Sequence, residues 1–128
     1  MKNTGEKIER AVALQKDGKL DEAEAVYNEI LLEKPRHPAA LHLLGCVAIE
    51  RKDYARARGL IEQALNERPS NPYFHHNIAF IHGALGNFED AEYHYRKAVE
   101  LKPDYAEAYS NLAGSVKFTE RGPVLDAV

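Results

Sequence analysis

Pro35, Pro69 and Pro103 stand 34 residues apart. Each opens a short break that leads into a polar-to-apolar segment: LEKPRHPAALHLLGC, NERPSNPYFHHNIAF and ELKPDYAEAYSNLAG. Proline has no backbone N–H and collides with the carbonyl one turn earlier, so it ends a helix. A fixed period of this length requires one supersecondary unit, repeated, whose copies stack to bury a core that none could bury alone. Other rows keep the same spacing: Ala23, Ala57 and Ala91; Leu20, Tyr54 and Phe88; Tyr27, Ile61 and Tyr95; Ile30, Ala64 and Ala98. A small residue recurs at Ala11, Gly45, Ala79 and Ala113, where two helices must come close.

Within each unit the apolar positions have helical spacing. Leu41, Leu44, Gly45 and Ala48 share one face, and Tyr54, Ala57, Ile61, Ala64 and Leu65 share another. Asp17-Gly18, Lys52-Asp53 and Gly86-Asn87 break the pattern between the faces. Asp53 and Asn87 are expected to accept from free amides of the helix that follows, and Asn71-Pro72 reads as a cap with proline in the first helical turn. The expected helices are 4–17, 20–33, 38–51, 54–67, 72–85, 88–101 and 106–118.

Composition narrows the function classes. With 45% apolar and 29% charged residues the chain is globular. A formal charge of -3 argues against a nucleic-acid binder that relies on a positive field. Cys46 is the only cysteine, so no internal disulfide forms. The sequence has no apolar run of signal-peptide or membrane-span length, and it reads as cytoplasmic with no membrane partner.

The period, the small-residue row and the closing prolines resemble the tetratricopeptide repeat, or TPR. The resemblance implies an all-α fold, a right-handed superhelical α-solenoid forming one domain over 1–128. Its repeats would be 4–37, 38–71 and 72–105, with a partial repeat or capping helix at 106–118 and a tail at 119–128. It further implies that the first helix of each pair lines a concave groove for a protein or peptide partner. The matching positions are Ile8, Glu9, Val12 and Gln15; His42, Leu43, Cys46 and Ile49; Tyr73, His76, Asn77 and Phe80; and Glu107, Ser110, Asn111 and Lys117.

One TPR subclass grips the C-terminal carboxylate of chaperone tails with Lys, Arg and Asn. Here the equivalent positions hold Ile8, Val12, Leu43, Tyr73 and Asn77, and the cations are missing. A carboxylate brought there would lose water without gaining a charged partner. Asn77 and Asn111 share a repeat position and resemble a two-rung asparagine ladder, which Leu43 and Glu9 interrupt. An amide side chain can both donate to and accept from a peptide backbone; the alternative is that both simply solvate a helix face. Ile8, Val12, Leu43, Ile49, Tyr73 and Phe80 form an apolar partner surface, unless several turn into the interhelical core.

Catalytic chemistry is not expected. His75 and His82, seven residues apart, occupy positions where the family packs aromatics, and no paired-cysteine or HExxH spacing accompanies them, so no metal or other cofactor is implied. Cys46 has His42 one turn away but nothing to orient that base. The segment AYSNLAGSVKFTERGPVLDAV is similar to the junction at which bacterial TPR units lead into a sulfotransferase or glycosyltransferase domain. Three functions follow: a non-catalytic protein-interaction module, the substrate-recognition part of a larger transferase, or a scaffold that self-assembles through its incomplete last repeat as a homo-oligomer.

Overall fold

A computed structural model describes residues 3–114. The chain divides into two compact units, Met1–Pro69 and Ser70–Val128. The first contains α1 (Thr4–Lys16), α2 (Leu20–Glu33), α3 (Pro38–Glu50) and α4 (Tyr54–Glu67); the second contains α5 (Pro72–Ala84), α6 (Phe88–Leu101) and a further helix, α7, over 106–114. There is no strand among the described residues, and the all-α expectation holds. The expected residues 115–118 of the last helix and the tail at 119–128 lie outside the described residues.

The second helices match their expected limits, whereas α1, α3 and α5 each stop one residue early. The reason is a shared turn. Gly18, Lys52 and Gly86, again 34 apart, all have left-handed backbone, with φ of 78°, 61° and 84°. Each such turn closes with paired bonds back into the helix. Gly18 N donates to the Gln15 carbonyl and Lys19 N to that of Leu14; the Lys52–Asp53 and Gly86–Asn87 pairs repeat the arrangement. These bonds satisfy carbonyls that the helix end would leave orphaned.

Caps follow the sequence in part. Asp53 accepts from Arg56 N, and Asn71 accepts from Tyr73 N and Phe74 N ahead of Pro72. Asn87 makes no cap bond, because its amide lies 3.5 Å from His82 Nδ1 instead.

In the first unit α1 packs on α2, α2 on α3 and α3 on α4. The core there joins Ala11, Val26, Tyr27, Ile30, Leu44 and Val47. Lys7 pairs with Glu29 at 3.2 Å. In the second unit α5 packs on α6, and Leu112 of α7 closes over Ala79, Ala91 and Tyr95. Ala11, Gly45 and Ala79 are buried as the small-residue row requires, and Ala113 is exposed.

Candidate partner-binding groove

In the first unit, Val12 and Gln15 of α1 meet Leu43, Cys46 and Glu50 of α3 around an open depression of about 200 Å³. Its floor is apolar. Its rim is held by a relay in which Tyr27 Oη donates to Gln15 Oε1 at 2.9 Å and Gln15 Nε2 donates to Glu50 Oε2 at 3.2 Å. Ile8, Leu43, Ile49 and His42 are all partly buried. Ile8 and Leu43 also pack against the core, so the two sequence alternatives, groove and interhelical packing, meet in these side chains.

Cys46 Sγ lies 3.7 Å from His42 Nε2. Burial, with Glu50 nearby, pushes its thiol up to about 12, so it stays protonated at neutral pH and is a poor nucleophile.

In the second unit, Phe80, Gly83 and Ala84 of α5 face Ser110, Asn111 and Gly114 of α7 across a depression of about 410 Å³, with Tyr95 of α6 at its base. Phe80 is 42% exposed and Tyr73 47%. Tyr73 stands 5.4 Å from Tyr105, with Lys102 Nζ over both rings. Lys117 lies outside the described residues.

His76 departs from expectation. The sequence places it in the groove, but it is only 6% exposed. It lies between the rings of Tyr95 and Tyr105, with centroids at 5.6 and 5.0 Å, because α7 and the turn before it close over that side of α5. Asn111 Nδ2 is 3.1 Å from His76 Nε2, and Glu107 Oε1 is 4.0 Å away. Burial lowers the His76 pKa, opposed by Glu107 and by a hydrogen bond with Asn77. Asn77 and Asn111 therefore both meet the one buried His76 ring.

Sequence periodicity also missed a histidine stack. His75 Nδ1 lies 3.0 Å from His94 Nδ1, and the His94 ring stacks on those of His75 and His82, at 5.3 and 5.7 Å between centroids. The heptad separation of His75 and His82 signalled one face; the partner on α6 carried no signal. Burial, then the neighbouring His75 and His82, lowers the His94 pKa to about 4. Among the described residues no group of three His, Cys, Asp or Glu side chains gathers to hold a metal ion, and no helix is long and apolar enough to cross a membrane.

Residues 14–79 match the family described as Tetratricopeptide repeat, and residues 84–115 match a second description, TPR repeat. The chain belongs to the tetratricopeptide repeat family. Mouse Protein O-mannosyl-transferase TMTC1 is 31% identical over 101 residues, which cover 76% of this chain and 11% of that protein. Among solved structures, a Thermobaculum terrenum O-GlcNAc transferase mutant is 28% identical with a TM-score of 0.83, covering 92% of this chain and 24% of that one. The first TPR of Spaghetti (RPAP3), bound to the HSP90 peptide SRMEEVD, shares the fold at 23% identity and a TM-score of 0.84, covering 89% of this chain and 90% of that one. The chain spans 11% and 13% of the length of two of the curated relatives it matches.

Proposed function

We propose that this chain is a non-catalytic protein-interaction module whose first helices hold a peptide segment or a partner helix. The observation behind this reading is a coincidence of two kinds of position. Each unit has an open depression, and each is lined by residues from the repeat positions expected to face a partner: Val12, Leu43 and Cys46 in one, Phe80, Ser110 and Asn111 in the other. Apolar floors with a few polar groups at the edge suit a ligand that presents apolar side chains and an unpaired backbone.

The RPAP3 repeat binds an acidic peptide. Here Ile8, Val12, Leu43 and Tyr73 bring no cation to the corresponding positions, so the ligand is apolar rather than a chaperone tail. Panning a random peptide display library on the folded protein, followed by calorimetry, tests the proposal. Val12→Ser and Phe80→Ser are expected to weaken a selected peptide while leaving helicity intact; unchanged affinity in both folded variants contradicts it.

A second reading rests on the comparisons. Two of the similar proteins are transferases of which this chain matches only a small part. On that reading the groove presents a substrate segment to a catalytic domain; a reading frame continuing for hundreds of codons past Val128 supports it, and a stop codon there rejects it. Self-association through α7, whose Tyr109 and Ala113 are exposed, is a third use of the fold; a monomeric mass across a wide concentration range rejects it. That residues 1–128 behave as one cytoplasmic domain is carried with these proposals. One calorimetric transition is expected, and two separate transitions would divide the chain.

A further inference from the structure

The depression of the first unit lies against the closing turns of two helices. α1 ends at Lys16 and α3 at Glu50, and both residues line it beside Val12, Gln15, Leu43 and Cys46. Glu50 is tethered there. Its Oε2 accepts from Gln15 Nε2 at 3.2 Å, and Gln15 Oε1 accepts from Tyr27 Oη at 2.9 Å. The chemistry of Glu50 fixes the direction of this relay. An ionised carboxylate only accepts, so the Gln15 NH2 faces Glu50 and the Gln15 carbonyl oxygen faces Tyr27. Tyr27 is fully buried, and burial, then Cys46 and Glu50, pushes its hydroxyl up to about 12, so it keeps the proton that it donates.

The tether leaves the other carboxylate oxygen open. Among the described residues Glu50 makes no further hydrogen bond and no ion pair, and Lys16 is in no ion pair either. The C-terminal ends of α1 and α3 add the negative ends of two helix dipoles at the same rim. Cys46 contributes apolar surface without charge, since its thiol stays protonated.

We propose, on the reading of this depression as a peptide site, that it takes a basic side chain of the partner, lysine or arginine, with the methylene stem along Val12, Leu43 and Cys46 and the charged head on Glu50 Oε1. Such a side chain is apolar along its length and charged at its tip, which matches an apolar floor with a carboxylate at the edge. An aspartate or glutamate would meet Glu50 as a like charge. Tyr27 is a positioning residue that acts through Gln15. Lys16 works against the incoming cation.

Panning a random peptide library on the protein, and keeping the peptides that Val12→Ser weakens, supplies the probes. Lysine and arginine are expected to be enriched among them, and the enrichment is expected to disappear when Glu50→Gln is panned instead. In a selected peptide, replacing the basic residue with norleucine keeps most of the stem and removes the charge. Calorimetry at low salt is expected to show about a threefold loss of affinity, the size of one solvent-exposed ion pair. That loss is expected to shrink in high salt and in Tyr27→Phe, to vanish in Glu50→Gln, and to grow in Lys16→Met. In the free protein, the Gln15 side-chain NH2 resonances are expected to follow the titration of Glu50.

A norleucine penalty unchanged in folded Glu50→Gln, or selected peptides rich in aspartate and glutamate, overturns the basic-residue assignment and leaves the peptide site standing. Gln15 resonances that ignore Glu50 contradict the relay. Failure to select any peptide sensitive to Val12→Ser overturns the peptide site and the assignment together.

Discussion

Gly45 of α3 and Ile61 of α4 leave no room for a methyl group between them. A Cβ on Gly45 would lie 2.6 Å from Ile61 Cγ1 and 3.1 Å from its Cδ1. Ile61 is fully buried, so its side chain has little space to yield. Gly45→Ala gains helix propensity of about 1 kcal/mol, yet overpacking typically costs about 1–3 kcal/mol. The expected result is a net loss of about 1 kcal/mol and a lower Tm by calorimetry. A raised Tm would mean that α3 and α4 are not held this tightly.

The turn at Lys52 predicts the opposite sign. Gly18 and Gly86 occupy the equivalent left-handed positions, and among the described residues only here does a side chain sit at positive φ. For a residue with a Cβ that conformation costs on the order of 1 kcal/mol. Lys52→Gly relieves it, at the expense of a more flexible unfolded chain. Stability is expected to rise by about 0.5 kcal/mol in urea titration; a loss would contradict the turn geometry.

The histidine stack makes stability depend on pH. The folded-state pKa of His94 is lowered from 6.5 to about 4, mainly by burial and then by His75 and His82, with Asp90 opposing. As pH falls below 6.5 the unfolded chain takes up the proton and the folded one does not. Stability is therefore fully present above 6.5, declines below it, and this contribution is lost by about pH 4. The partly solvated ring keeps the effect to about 1–2 kcal/mol. Thermal melts at pH 7.5 and 5 are expected to show a drop that His94→Phe reduces; an equal drop in that variant places the effect elsewhere.

Most of the helical scaffold was legible in the sequence because period and burial coincide there. Ala23, Ala57 and Ala91 are 34 apart and all fully buried, and the proline spacing fixed where each second helix ends. Of the expected groove positions, Val12, Leu43, Cys46, Phe80, Ser110 and Asn111 line depressions, because first-helix positions on one face come together when the helices pack. What escaped depends on side chains that meet across helices. Nothing in the spacing of His76 says that Tyr105 and Asn111 will cover it, and nothing near His75 points to His94, 19 residues away. Asn87 had the right residue type for a cap, yet it turned to His82. Repeat position fixes a backbone site; the partner of a polar side chain depends on the particular residue opposite.

The central claim, that the first-helix faces hold a peptide, is tested most directly by mapping amide shifts in proton–nitrogen spectra as a panned peptide is added. The account predicts perturbations at Val12, Leu43 and Cys46, at Phe80, Ser110 and Asn111, or at both groups. Perturbations confined to second-helix residues such as Leu32 and Tyr93, exposed on α2 and α6, would contradict it.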